Sequence, residues 1–208
     1  MKVEQALRLD LPYFSNPQTI RAIDEYVKNN PHRPASVLLC LTCPEKEEKL
    51  EDLKLLFTVR TDEMPTHAGQ ISFPGGKKAS HETVCDCALR ETFEEVGIEK
   101  NKLEVLGPMP EFPSLISKFF ITPFVSYFQE PLLDETFNFN RDEVQEVFLV
   151  KIGDLIGDNV FKVSDKEYKG MPYPLYEFFY EDYRIWGITA HLTANFLNRL
   201  GLIKKPLP

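Results

Sequence analysis

Three glutamates and an arginine crowd into the segment Arg90-Glu91-Thr92-Phe93-Glu94-Glu95. On a helix of about 100° per residue, Glu91, Glu94 and Glu95 share a sector of about 100°. Cys85, Leu89, Phe93 and Val96 fall opposite, which predicts an apolar face turned to the rest of the molecule. Like charges three and four residues apart destabilise a helix by roughly a few tenths of a kcal/mol per pair. A cation among them removes that cost, and oxygen ligands suit a hard divalent ion, Mg²⁺ or Mn²⁺. The same pattern alone also describes a solvated acidic face. Arg90 can orient a carboxylate through a bidentate pair or serve as a surface partner. Just before the helix, Gly75-Gly76 permits close backbone approach to a ligand, or simply a tight turn after Pro74.

The elements that must position these groups follow from periodicity. Ile20, Ile23, Tyr26 and Val27 predict a short helix ending before Pro31. Ala35–Leu41 reads as a buried strand and Leu53–Val59 as its partner, with Glu45–Glu51 as a hairpin loop. Turn signals at Pro65 and Gly69 precede a short strand, Ile71–Phe73. The acidic helix spans Val84–Val96 and stops at Gly97. Leu103–Leu106, Phe119–Val125, Glu146–Val150 and the aromatic-rich Leu175–Tyr180 read as strands, with a short helix at Ile152–Leu155. A last helix runs from Gly187 to Leu200, with Ile188, Leu192, Phe196 and Leu200 on one face and Gly201 at its cap. Strands before, between and after helices predict an α+β class, a mixed sheet with helices on its faces.

Composition narrows the function. The 208 residues are 43% hydrophobic and 27% charged, which excludes a disordered chain. A net charge of −8 argues against a nucleic-acid partner and means an anionic ligand needs a local cation. No apolar run approaches the roughly 18 residues of a membrane span, and no targeting signal is evident, so the expectation is a cytoplasmic protein with no membrane partner. Cys40, Cys43, Cys85 and Cys87 read as buried free thiols rather than as four zinc ligands.

Gly76, Glu82, Arg90-Glu91, Glu94-Glu95 and Gly97, with Thr92 and Ile98, resemble the Nudix box, G-x5-E-x7-R-E-U-x-E-E-x-G-U. All seven fixed residues are present at the right spacing, and Thr92 stands where a bulky aliphatic residue is usual. Upstream, Thr58-Val59-Arg60-Thr61, His67-Ala68-Gly69-Gln70 and Phe73-Pro74-Gly75-Gly76 are similar to the segment before the box in coenzyme A pyrophosphatases. Downstream, Ile121-Thr122-Pro123, the Glu143–Val147 run and Ile185–Ala190 also look like that group. Pro65 replaces a second Arg of the upstream pattern.

The resemblance implies a Nudix fold over a single domain, 1–208, with a helical extension at about 1–30. It implies metal-dependent hydrolysis of a diphosphate, with coenzyme A or a derivative as the small-molecule partner. The products would be 3′,5′-ADP and (acyl-)4′-phosphopantetheine. Glu91, Glu94, Glu95 and the Gly76 carbonyl would hold Mg²⁺ or Mn²⁺. Arg90 would orient carboxylates. Glu94 would take the water proton, or Glu143 or Glu146 from a later loop. Glu82 would position the helix start. Arg60, His67, Gln70, Phe73, Gly75 and Lys77 would face the substrate. Trp186 is expected in the core, with stacking on an adenine as the alternative. ADP-ribose, NADH or a dinucleoside polyphosphate are the other substrates such a domain implies, and a non-catalytic nucleotide sensor is a further reading. A monomer or homodimer is expected.

Overall fold

The computed structural model describes residues 3–8, 17–42, 49–62, 69–128, 137–157, 159–168 and 171–203. Helices α1 (Val3–Leu7) and α2 (Pro17–Asn29) precede strands β1 (Arg33–Thr42) and β2 (Lys54–Arg60). Two short strands, β3 (Ile71–Ser72) and β4 (Gly75–Lys77), lead into helix α3 (Val84–Val96). Then come β5 (Leu103–Pro108), β6 (Phe112–Ser114), β7 (Phe119–Phe128) and β8 (Val144–Lys151). After a single 3₁₀ turn at Ile152–Leu155 the chain forms β9 (Phe161–Tyr168), β10 (Met171–Tyr180), β11 (Tyr183–Trp186) and helix α4 (Gly187–Arg199).

β1 organises the larger sheet. Its run Val37-Leu38-Leu39-Cys40-Leu41 does not alternate because both faces of the strand are covered. Leu38 and Cys40 pack with Ala88 and Val96 of α3. Leu39 and Leu41 pack on the other side with Leu192 and Phe196 of α4. The strand order is β3-β2-β1-β7-β5, with β4 also on β1, β6 on β7 and β8 on β2. β1 and β7 run parallel, from Arg33↔Phe119 to Leu41↔Tyr127, and the remaining pairs are antiparallel, so the sheet is mixed as expected. β9, β10 and β11 form a second, antiparallel sheet against α4.

Several expectations need correction. β1 and β2 meet only at Leu41↔Leu55 and Thr42↔Lys54, and the long partner of β2 is β8. Most of the expected loop between β1 and β2, and Cys43, lie outside the described residues. β4, β6, β9 and β11 have no readable signal: the first two are three residues long, and β9 beyond the buried Phe161 is polar and mostly exposed among its described side chains. α4 is buried on nearly every side rather than on one stripe, with His191, Asn195 and Arg199 inside. Cys40 and Cys87 are buried and Cys85 half-buried, all as free thiols. Among the described residues no helix is long and apolar enough to cross a membrane.

α3 has the predicted bounds but turns a different face to the sheet. Cys87, Ala88, Thr92, Glu95 and Val96 are buried, while Phe93 is 54% exposed. This stripe of mostly small residues lets α3 approach β1 and β4, which a bulky Phe93 at the contact would hold away. Thr92 is fully buried there and donates its hydroxyl to the Ala88 carbonyl at 2.7 Å. A capping box starts the helix: Asp86 N–H donates to Thr83 Oγ1 (3.0 Å), and Thr83 N–H donates to the Asp86 carboxylate. Gly97, at φ 75°, ends it.

Two substitutions should separate capping from close packing. Thr83→Ala should lower stability by about 1 kcal/mol. A Cβ on Gly75 would stand 2.3 Å from the Ser36 carbonyl oxygen and 2.7 Å from Val37 Cα, and this backbone has little freedom to retreat. Gly75→Ala should therefore cost about 3 kcal/mol. Urea midpoints measure both, and an equal small shift for the two would contradict the packing of β4 on β1.

Candidate active site

The two glycines of β4 place a bare backbone between β1 and the acidic face of α3. Gly75 N–H donates to Glu95 Oε2 at 3.3 Å. An added Cβ on Gly76 would fall 2.5 Å from the Glu91 carboxyl carbon and Oε1. The space a side chain would fill at position 76 is thus taken by the Glu91 carboxylate. The Gly76 carbonyl also faces α3, where the Cys87 thiol donates to it at 3.5 Å.

Arg90 is the hub of the helix's outer carboxylates. Its Nε and Nη2 donate to the two oxygens of Glu82 at 3.0 and 2.9 Å. Nη2 also lies 2.9 Å from Glu91 Oε1, and Nη1 donates to Glu94 Oε2 at 2.7 Å. Glu82 accepts a further bond from Ala79 N–H at 2.7 Å. The Arg90 bonds, then that backbone bond, pull the Glu82 carboxyl down to about 2. Glu82 thus fixes Arg90 and the approach to the helix, the positioning role the sequence suggested.

Glu95 has a different environment. It is 2% exposed, with Arg60 Nη1 3.6 Å from its Oε1. Burial raises its carboxyl to about 8, opposed by Arg60 and the Gly75 bond and reinforced by the charges of Glu91 and Glu143. Burial also raises Glu91, opposed by Arg90 and reinforced by Glu94 and Glu143. Glu143 therefore acts on the same charge cluster. Its backbone is pinned: Thr61 N–H donates to the Glu143 carbonyl, and Glu143 N–H to that of Asn140. Asn140 N–H in turn donates to the Glu95 carbonyl at 2.9 Å. Glu146 is engaged elsewhere, accepting a bond from Tyr183 Oη at 2.6 Å.

Carboxylate oxygens and a backbone carbonyl are the donors a hard divalent cation takes. Their mutual repulsion, together with the Glu91 carboxylate nested against Gly76, fits such an ion. In this arrangement Arg90 pairs with Glu91 and Glu94 and Arg60 with Glu95, and no three acidic, His or Cys side chains among the described residues close on one point.

A cleft of about 480 Å³ opens beside β4. Arg60, Gln70, Phe73, Gly75 and Lys77, five of the expected substrate-side residues, all line it, together with Gly76, expected as a metal ligand. Phe73 also belongs to the core, stacked on Phe57 at 5.0 Å. Arg60 Nε is buried and without a hydrogen-bond partner among the described residues. His67 and Pro65 lie outside the described residues. Trp186 corrects the expectation of core packing: it is 41% exposed and lines the cleft, because it ends β11, whose alternation buries Ile185 instead. Sequence reasoning did not point to the cleft's far wall, Leu115 and Ile116, Leu175 of β10 and Ile188 of α4. These are unremarkable apolar residues until the fold gathers them.

Residues 32–172 match the model of the NUDIX domain. "Nudix hydrolase 3" of Caenorhabditis elegans is 31% identical over 160 residues, covering 71% of this chain and 67% of that protein. The Nudix hydrolase NudL of Photorhabdus laumondii is 32% identical over 163 residues, covering 78% and 81%. Among solved structures, the MutT protein of Methanosarcina mazei shares the fold, with a TM-score of 0.50 at 18% identity, over 85% of this chain and 98% of that one. By its domain match, its relatives and its fold, the chain belongs to the Nudix hydrolase family.

Proposed function

We propose that this Nudix hydrolase cleaves the diphosphate of coenzyme A or its derivatives, releasing 3′,5′-ADP and 4′-phosphopantetheine or its acylated form. The observation that carries this reading is one cleft lined by Arg60, Gln70, Phe73, Gly75 and Lys77. These positions belong to the segment, just before the box, that resembles coenzyme A pyrophosphatases. The reading takes residues 1–208 as one domain, with α1 and α2 as its helical extension.

Glu91, Glu94, Glu95 and the Gly76 carbonyl would hold Mg²⁺ or Mn²⁺. A bound ion of this kind neutralises the diphosphate and polarises the attacked phosphorus. Arg90 keeps Glu91 and Glu94 aimed together from its anchor on Glu82. Arg60, tied to Glu95 and carrying an unspent Nε–H, donates to a phosphate oxygen, and Lys77 adds a second cation at the cleft. A carboxylate takes the proton of the attacking water. Glu94 is the candidate on the helix. Glu143 is better placed than Glu146 among the later residues, because Tyr183 occupies Glu146.

Glu94→Gln and Glu95→Gln should keep the fold, seen by circular dichroism, and lower kcat by about 10²-fold or more. Wild-type rates in both would remove these carboxylates from the reaction. Chelation with EDTA should abolish turnover, and added Mg²⁺ or Mn²⁺ should restore it.

Gly76→Ala should act through Glu91, whose flexible end can yield. Activity should fall far more than the urea midpoint, the reverse of Gly75→Ala. The substrate is tested by kcat/KM on coenzyme A, ADP-ribose, NADH and a diadenosine polyphosphate. Highest efficiency on coenzyme A supports the reading. Dominant AMP release from ADP-ribose or NADH would overturn it, at the position where Pro65 replaces an Arg.

A further inference from the structure

Arg90 and Arg60 both reach the box carboxylates, but they are held in different ways. Arg90 is locked. Glu82 grips it with both oxygens at 3.0 and 2.9 Å, and Glu91 and Glu94 close on it at 2.9 and 2.7 Å. Arg60 is held loosely. Its Nη1 stands 3.6 Å from Glu95 Oε1, longer than the roughly 2.7–2.9 Å of a charge-assisted hydrogen bond. Its Nε is buried and meets no partner among the described residues.

The backbone under Arg60 is fixed, so this looseness belongs to the side chain. Arg60 N–H donates to the Gln70 carbonyl at 3.0 Å, and Gly69 N–H donates to the Arg60 carbonyl at 3.1 Å. The β2–β8 ladder shifts register between Val59 and Arg60, an irregularity of the kind that re-aims a side chain. The guanidinium is thereby brought to Glu95 and to the lining of the cleft together.

Glu95 needs a cation in that place. It is 2% exposed, and besides Arg60 it has the Gly75 N–H at 3.3 Å. A buried carboxylate left without a counter-charge is costly. A guanidinium without a fork of short bonds meets that need and is cheap to displace.

We infer that Arg60 is an exchangeable counter-ion, which neutralises Glu95 in the metal-free protein and competes with the divalent ion for that carboxylate. The inference rests on the placing of Glu95 among the metal ligands, proposed above, and adds the residue that sets how tightly the ion is held. Arg60 and the ion are like charges facing one carboxylate, so each weakens the hold of the other. Relieved of Glu95, Arg60 has its whole guanidinium for an anionic group in the cleft.

Mn²⁺ binding tests this, followed by the spin resonance of the free ion on protein stripped with EDTA and dialysed. Thermal melting with and without Mn²⁺ is the second readout. Arg60→Gln should tighten the Kd for Mn²⁺ by about tenfold. Arg60→Lys keeps the charge and should stay within about threefold of wild type. Without metal, Arg60→Gln should melt about 5 °C below wild type, and saturating Mn²⁺ should close most of that gap. An Arg60→Gln chain that folds only with Mn²⁺ would support the inference equally. Unchanged or weaker Mn²⁺ binding in Arg60→Gln would overturn it and leave the metal reading standing. So would a melting gap that Mn²⁺ does not narrow, or a variant that folds under neither condition, since Arg60 would then be serving the fold. Wild-type protein that binds no Mn²⁺ would overturn both readings.

Discussion

A carboxylate almost wholly removed from water is the constraint around which this molecule is arranged. Glu95 sits in the interface between α3 and the sheet, where an apolar residue would pack more cheaply. Its position demands a backbone N–H at Gly75, a guanidinium at Arg60 and a helix thin enough on that side to bring both within reach. The small buried stripe of Ala88 and Thr92 supplies the last condition. Breaking a buried pair of this kind is costly, whereas its net contribution to stability is small. Folding energy therefore gives little reason for the arrangement, and the proposed hold of Glu95 on a divalent ion supplies one.

The sheet supplies the rigid frame. Because β1 is covered on both faces, α3 on one side and α4 with the second sheet on the other, a slip by one residue would force each of its apolar sets into packing shaped for the other. β4 is paired to β1 in fixed register, Val37↔Gly75 and Ser36↔Gly76, so the glycine backbone inherits that rigidity. Asn140 ties the segment before β8 to the last turn of α3 through the Glu95 carbonyl. Groups far apart in sequence thereby face one another with little freedom to drift.

Local patterns are readable because they report local physics. The bounds of α3, its stop at Gly97, the buried run of β1 and the box carboxylates all follow from spacing within a few turns. The pairing of β1 with β7, the exposure of Trp186 and the apolar wall of the cleft do not, because each depends on which distant strand lies alongside. The face of α3 is hidden for a related reason. A hydrophobicity wheel puts Phe93 inward, but close approach to a glycine backbone favours small residues over bulk, and Glu95 shares that buried face. The capping box is legible in Thr83 and Asp86, although the denser run of box glutamates overshadows it.

The parallel pairing of β1 and β7 has a consequence for how the protein is made. Ser36 and Thr122, side by side in the sheet, are separated by 86 positions along the chain. Closing a loop of that length costs entropy before any contact repays it, so this step is slow compared with forming α3. On the ribosome, β1, β4 and α3 emerge well before β7, so the acidic helix first meets a floor that still lacks the strand beside β1. During that interval Glu91, Glu94 and Glu95 ride on a sheet whose β1 edge is unpaired along most of its length. Their crowded charge then helps solubility, keeping the nascent chain from premature association until the sheet can close.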